Sequence, residues 1–180
     1  MEKVFHSAQS RGHANHGWLD ANYSFSFSSY FDSERMSFGA LRVLNDDTIS
    51  PGKGFGTHPH DNMEIITIPL KGDLEHKDSM GNIGAINEGE IQVMSAGTGV
   101  YHSEYNKNSN NFINLLQLWV MPKEQDVKPR YDQLSIKELK KIIVFIRYCH
   151  PTLKTMGCGF IKTPGFTLVI LKKELILITF

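Results

Sequence analysis

The chain has 180 residues, of which 41% are hydrophobic, so it can form one domain with a sizeable core or one domain and part of a second. Its 19 Lys and Arg residues balance 19 Asp and Glu residues, so no overall electric field attracts it to nucleic acid or to a membrane surface. The opening stretch MEKVFHSAQSRGHANHGW lacks the apolar segment of a secretory signal, and no apolar run reaches the length of a membrane span. Two cysteines, Cys149 and Cys158, are too few for a disulfide framework and fit a reducing compartment. We therefore expect a cytoplasmic protein.

Up to Pro129 the sequence is typical of an all-β domain, in which short segments rich in aromatic and β-branched residues alternate with turn sequences. The predicted strands, in chain order, are YSFSFSSYF, FGALRVL, MEIITIPL, EIQVM and FINLLQLWVM. The predicted turns are NDD, SPGKG, MGN, NEGE and SAGTG. Many short strands at near-regular spacing favour a sandwich or a closed barrel.

Two pairs of potential metal ligands share the same spacing and the same local setting. His58 and His60 follow a glycine-rich turn, and His102 and Glu104 follow the turn SAGTG. Because residues two apart in a strand point to the same face, each pair can direct both side chains at one ion. If the two strands are neighbours in a small barrel, three imidazoles and one carboxylate converge in its interior. That set suits a divalent iron, manganese, cobalt, nickel, copper or zinc ion.

Other polar residues near these pairs leave two interpretations open. A lone His-x-His pair in a turn is often a surface pair, and the matched His-x-Glu pair is what favours a metal site. Asp61 and Glu64 either orient an imidazole through its second nitrogen or are solvated at a strand entrance. His76 either faces the cavity or is a polar residue at a strand end. We expect the remaining amino-terminal histidines to be structural or exposed: His6, His13 and His16.

Residues 10–133 resemble the amino-terminal domain of the pirin family, close to its bacterial quercetinase-like branch. The resemblance rests on four long runs. These are GWLDANYSFSFSSYFD, FGALRVLNDDTISPGKGFGTHPHDNMEIITIPLKGDLEHKDSMGN, GEIQVMSAGTGVYHSEYN and LLQLWVMPKEQDVKPRYDQ. Members of the family are bicupins, with two β-barrels packed face to face and a metal in the first. The resemblance implies an all-β cupin barrel whose metal ligands are His58, His60, His102 and Glu104, with Fe(II) as the first expectation.

The resemblance also implies an activity. Some bacterial members open the heterocyclic ring of the flavonol quercetin with dioxygen, which implies a flavonol-like substrate for this chain. By analogy, Glu104 would move between metal ligand and the catalytic base that accepts the hydroxyl proton. The alternative is a non-catalytic metal-binding regulator that acts through protein partners, since eukaryotic pirins are nuclear proteins linked to transcription factors. Residues 1–133 contain no basic stripe, so we expect no direct contact with nucleic acid, and we expect none with membranes.

Composition changes abruptly near Gln133. Residues 134–180 hold eight of the 19 basic residues but only two of the 19 acidic ones, so this segment carries a formal charge of +6 and residues 1–133 carry −6. It also lacks Asp, Asn and Trp. We therefore expect a cupin domain over residues 1–133 and a divergent tail over residues 134–180.

The tail has two explanations. Rereading the codons permitted by GCGFIKTPGFTLVIL one base out of frame allows the string LWFHQDAWFHFGDF, which resembles a strand region of the second domain of the family. The first hypothesis is therefore a frameshifted remnant of a second cupin barrel, whose loss would expose the inter-barrel face and favour self-association. In the second, LSIKELKKIIVFIRY is an amphipathic helix that covers the barrel or meets a membrane.

Overall fold

The computed structural model describes residues 6–135 in full and the backbone of residues 146–147, 166–171 and 174–179. Within these ranges a short 3-10 helix, Ala8–Ser10, precedes the β-strands. The strands are β1 (Gly12–Asn15), β2 (Leu19–Tyr23), β3 (Leu41–Ile49), β4 (Gly54–His60), β5 (Glu64–Lys71), β6 (Leu74–Asp78), β7 (Ile83–Ile86), β8 (Glu90–Ser95), β9 (Val100–Tyr105), β10 (Ile113–Val120), β11 (Arg130–Ser135), β12 (Ile146–Arg147), β13 (Phe166–Leu171) and β14 (Glu174–Thr179).

Two antiparallel sheets form the barrel. One has seven strands in the order β1-β2-β3-β10-β5-β8-β11, and the other has four in the order β4-β9-β6-β7. A separate three-stranded sheet has the order β12-β13-β14. The all-β prediction is confirmed for the described residues. No helix in this part of the chain is both long and apolar enough to cross a membrane.

An apolar cluster joins the two larger sheets. It packs Leu74 and Ile86 of the four-stranded sheet against Ile49, Ile113 and Leu115 of the seven-stranded sheet, and none of the five is more than 2% exposed. Full burial of such a side chain contributes about 1.5–3 kcal/mol relative to exposure. The facing sheets are therefore held together chiefly by side chains that point inward from both.

The seven-stranded sheet is also apolar on its opposite face. Ile66 and Ile68 of β5 lie in a second buried cluster with Val93, Leu116 and Leu118 from the strands on either side. Because successive residues of a strand alternate between faces, β5 contributes Ile65 and Thr67 to the barrel interior and Ile66 and Ile68 to the outer face. A strand buried on both faces explains the nearly continuous apolar run in MEIITIPL.

The strand predicted over YSFSFSSYF is wrong beyond Tyr23, where β2 ends. Phe27 and Tyr30 instead form an isolated antiparallel bridge, with an N–O distance of 3.0 Å in each direction. Ser28 between them has a φ of 53°, which lies in the left-handed region and interrupts an extended strand. Local turn hydrogen bonds thus replace sheet pairing, and the alternating pattern ends with Phe31, which is 74% exposed.

The turn predicted at NDD is also wrong, because these residues lie in the middle of β3. Asn45 and Asp47 point into the barrel and are 3% and 4% exposed. Asp46 points to the other face, where it accepts hydrogen bonds from Arg11 at 3.0 Å and from the Asn114 amide at 2.8 Å. Strand pairing on both sides therefore overrides the turn preference of Asn and Asp.

The predicted boundary between domain and tail falls inside β11, which pairs with β8 from Arg130 opposite Ser95 to Ser135 opposite Glu90. Residues 136–145, which form most of the predicted amphipathic helix, lie outside the described residues, as do both cysteines. The division of the chain and the frameshift hypothesis therefore stay predictions.

Gly54 lies opposite Tyr105 in the pairing of β4 with β9, and the backbone of β9 leaves no room for a side chain at this position. A Cβ at Gly54 would overlap the carbonyl oxygen of Glu104 and lie 2.6 Å from the Cα of Tyr105. We expect Gly54→Ala to lower the free energy of unfolding by about 1–3 kcal/mol, the usual cost of forced overpacking. Urea denaturation measures the change. Gly84→Ala is the matched control, because a Cβ at this strand position meets nothing within 4 Å, and equal stability losses in the two variants would contradict the prediction.

Candidate metal centre

The antiparallel pairing of β4 with β9 places the two predicted donor pairs side by side. His58 lies opposite His102, and Phe55 lies opposite Glu104. Between these two positions β4 has one residue more than β9, so the register shifts by a bulge. A bulge bends its strand and re-aims the side chains that follow it, and here it immediately precedes His58.

Three imidazoles converge at this place. The ring centroids are 4.9 Å apart for His58 and His60, 4.4 Å for His58 and His102, and 4.9 Å for His60 and His102. One nitrogen from each ring lies within 4.8 Å of the others. The sequence prediction that these three side chains meet is consistent with this geometry.

The hydrogen-bond pattern leaves ring nitrogens available for a metal. Nδ1 of His58 lies 2.8 Å from the Gly56 carbonyl oxygen, which can only accept, so this nitrogen carries the hydrogen and Nε2 keeps its lone pair. His102 is 2% exposed, and neither of its ring nitrogens has a partner in the described part of the chain. A buried polar atom without a partner costs about 1–3 kcal/mol. A metal ion would remove that cost, and the donors present fit one.

Burial keeps two of the imidazoles, those of His60 and His102, neutral. Burial, reinforced by the neighbouring rings of His102 and His58, lowers the pKa of His60 to about 4. Burial, reinforced by His58 and His76, lowers the pKa of His102 to about 3. Neutral imidazoles present the lone pairs that metal binding requires.

Comparisons with known proteins show the family of the chain. A family model described as Pirin matches residues 4–120, a range that contains all four predicted ligands. The chain belongs to the pirin family. The prediction of a cupin barrel of the pirin type is confirmed, because the likeness extends to a solved bacterial pirin from Escherichia coli in complex with nickel(II). That structure has a TM-score of 0.70 and 55% sequence identity and covers 72% of this chain and 56% of that one.

Two curated relatives show how far the likeness reaches. A protein of Escherichia coli K12 named quercetin 2,3-dioxygenase is 57% identical over 126 residues, which are 70% of this chain and 54% of that protein. A pirin-like protein of Caulobacter vibrioides is 50% identical over 112 residues, which are 62% of this chain and 48% of that protein. This pirin-family chain thus spans about half the length of the curated relatives that it matches.

Glu104 of the pirin domain does not join the compact set of three imidazoles. Its carboxylate groups instead with His102 and His76, whose ligand atoms lie within 4.8 Å of one another. The carboxylate is 2% exposed and accepts hydrogen bonds from Gln117 Nε2 at 2.9 and 3.2 Å and from Thr67 Oγ1 at 3.4 Å. Sequence spacing predicted a single group of four ligands. The structure brings the donors into two overlapping groups of three that share His102, and the set of four around one ion stays a prediction.

Gln117 and Trp119 are site residues that the sequence did not reveal. Trp119 Nε1 donates to Gln117 Oε1 at 3.2 Å, which fixes the amide so that its NH₂ group faces Glu104. The Trp119 ring also meets the His60 ring edge-on, with centroids 4.9 Å apart. The sequence offers one indication of them: Gln117 and Trp119 are two residues apart in the predicted strand FINLLQLWVM, so both side chains point to the same face.

The other polar residues near the site lie in different places. His76 faces the interior, is 0% exposed, and bonds through Nε2 to Asp78 Oδ2 at 3.0 Å. Glu64 is buried on the outer face of β5, where it accepts a hydrogen bond from Ser95 Oγ at 2.7 Å, so it does not orient an imidazole. Asp61 is exposed. The expectation for the amino-terminal histidines agrees with the structure, in which all three are exposed: His6, His13 and His16.

A polar row crosses the interior of the seven-stranded sheet beneath Glu104. Its members lie opposite one another on six strands that are neighbours in the sheet, in the order β2-β3-β10-β5-β8-β11. They are Tyr23, Asn45, Gln117, Thr67, Gln92 and Gln133. Asn45 Oδ1 and Gln92 Nε2 are buried without a hydrogen-bond partner in the described part of the chain, and so is Oδ1 of the nearby Asp47. Burial, followed by the charges of Glu104 and Asp46, raises the pKa of Asp47 to about 7.

We expect Asp47→Asn to stabilise the metal-free protein at pH 8. The pKa of Asp47 is about 7 in the folded protein and about 3.9 in the unfolded chain. Because ionised Asp47 is disfavoured in the folded state, the free energy of unfolding falls as the pH rises between those values. The neutral amide does not titrate, so at pH 8 the free energy of unfolding of the variant should exceed that of the wild type by on the order of 2 kcal/mol. Urea denaturation at pH 4 and pH 8 measures the difference. A gain that is equal at both pH values would show that charge is not its cause.

Proposed function

We propose that this pirin-family chain binds one divalent metal ion through His58, His60, His102 and Glu104. The buried ring nitrogens of His102, which have no hydrogen-bond partner in the described part of the chain, and the neutral state of His60 and His102 support this assignment. Fe(II) is our first choice, and imidazole and carboxylate ligands also suit Mn, Co, Ni, Cu or Zn. When bound, such an ion supplies Lewis acidity and a place for substrate and dioxygen to meet.

The function that we infer is that of a quercetin 2,3-dioxygenase, which opens the heterocyclic ring of a flavonol with dioxygen. The observation that carries it is the 57% identity to a relative of that name over the region that holds every proposed ligand. The activity of the whole relative is a proposal for this chain, because the match covers 54% of that protein.

The residues of the chain have separate roles in this proposal. Glu104 is the catalytic base and accepts the proton of the flavonol hydroxyl at a carboxylate oxygen. Gln117 and Thr67 hold that carboxylate in place through the hydrogen bonds that they donate to it. Trp119 lies beside His60 and packs edge-on against Phe27, with ring centroids 5.3 Å apart, so the two rings form an apolar wall suited to an aromatic substrate.

Metal analysis tests the ligand set. We expect His58→Ala and Glu104→Ala each to reduce the bound metal per chain, because each removes a proposed donor. Atomic absorption after equilibrium dialysis measures the content. His13→Ala is the matched control, since His13 bonds to Asp20 at 2.9 Å on the surface, away from the site. Unchanged metal content in both site variants would refute the ligand set.

Oxygen uptake tests the reaction. The chain reconstituted anaerobically with Fe(II) is expected to consume dioxygen when quercetin is added, and Glu104→Gln should abolish most of that uptake because the amide cannot accept the proton. A metal-loaded wild-type protein that shows no turnover would contradict the enzyme proposal. It would favour the alternative, a metal-binding regulator that acts through protein partners.

A further inference from the structure

His76 belongs to a donor set that the His-x-His and His-x-Glu pattern does not contain. His58, His60 and His102 form one compact group, which we call the outer set, and His76, His102 and Glu104 form another, which we call the inner set. His102 is common to both. All three members of the inner set are buried, whereas His58 and His60 of the outer set are half-buried.

The imidazole of His76 is oriented by a carboxylate that is itself fixed. Asp78 Oδ2 accepts from His76 Nε2 at 3.0 Å and from the Asn82 amide at 2.8 Å. Its other oxygen accepts from the backbone N–H groups of Met80 at 2.9 Å and Asn82 at 3.0 Å. An ionised carboxylate can only accept, so Nε2 of His76 carries a hydrogen, and in the neutral tautomer of the ring the lone pair resides on Nδ1.

That lone pair has no hydrogen-bond partner in the described part of the chain, and His76 is 0% exposed. His76 lies directly opposite Glu104 in the pairing of β6 with β9, and its ring centroid is 5.3 Å from that of His102. The His76 ring also packs against that of Tyr131, with centroids 4.9 Å apart. A metal-binding histidine commonly donates its second N–H to a carboxylate, which is the arrangement of His76 and Asp78.

We propose that His76 is a further metal ligand, and that His76, His102 and Glu104 form an inner position for a divalent transition-metal ion, as an alternative to the position at which His58, His60, His102 and Glu104 hold it. The proposal rests on the metal centre of the proposed function. Because the inner position and the four-residue site of the proposed function share His102 and Glu104, they are alternatives for one ion. Asp78 acts as the positioning residue that keeps the His76 lone pair available.

Nitrogen NMR of the unmodified chain tests the proposal. With ¹⁵N-labelled histidine, Zn(II) is added to the metal-free protein, and the ring nitrogens, assigned from single His→Gln variants, are followed to saturation. We expect the Nδ1 signal of His76 to shift together with the signals of His102. If the signals of His58, His60 and His102 shift and those of His76 do not, the proposal is wrong and the metal centre stands. If no histidine signal shifts, both are wrong.

Affinity for Co(II) gives a second, independent readout. We expect His76→Gln to weaken Co(II) binding about tenfold or more and to change the visible absorption of the complex, since loss of a ligand should cost at least the factor of about 10–100 that residues supporting a ligand commonly contribute. The matched control is His13→Gln, which removes a His–Asp pair with an N–O distance of 2.9 Å that lies outside both donor sets. A folded His76→Gln protein with unchanged affinity and spectrum would overturn the proposal. If that variant does not fold, the NMR experiment on the wild type decides.

Discussion

The pairing of β4 with β9 is the constraint on which the site depends. It sets His58 opposite His102 and, through the bulge that follows Phe55, turns the His-x-His segment toward the same space. Backbone hydrogen bonds between the two strands thus bring together imidazoles from distant parts of the sequence. Gly54 allows that approach because any side chain there would overlap the backbone of β9.

Spacing within a strand can be predicted from sequence, whereas distances across a barrel cannot. The period of two was sufficient to expect that His58 and His60 share a face, and likewise His102 and Glu104. It could not show that Glu104 lies nearer to His76, because that neighbour comes from β6 on the other side of β9. Local turn preference misled at NDD for a related reason, since pairing with strands distant in sequence decides the conformation there.

The interior of the barrel is polar in the middle and apolar on both sides. The polar row that includes Gln117 and Thr67 lies between the cluster around Leu115 and a smaller one formed by Ile65, Met94 and Val100. The apolar clusters stabilise the facing sheets, and the row supplies hydrogen bonds to Glu104. The same strands therefore contribute to stability at the positions on either side of the polar row and to the site at the positions within it.

Thr67 gives the central strand β5 a property that its apolar neighbours lack. Ile65, Ile66 and Ile68 are interchangeable in hydrophobicity, so an apolar pattern alone would tolerate a shift of β5 by one residue along its neighbours. Such a shift would set Ile66 or Ile68 beneath Glu104 and take the Thr67 hydroxyl to the outer face, where the surrounding side chains are aliphatic. The Thr67 hydroxyl group therefore distinguishes the correct alignment of β5 from a shifted one. A chain that folds with β5 out of register loses the hydrogen bond from Thr67 to the buried carboxylate of Glu104.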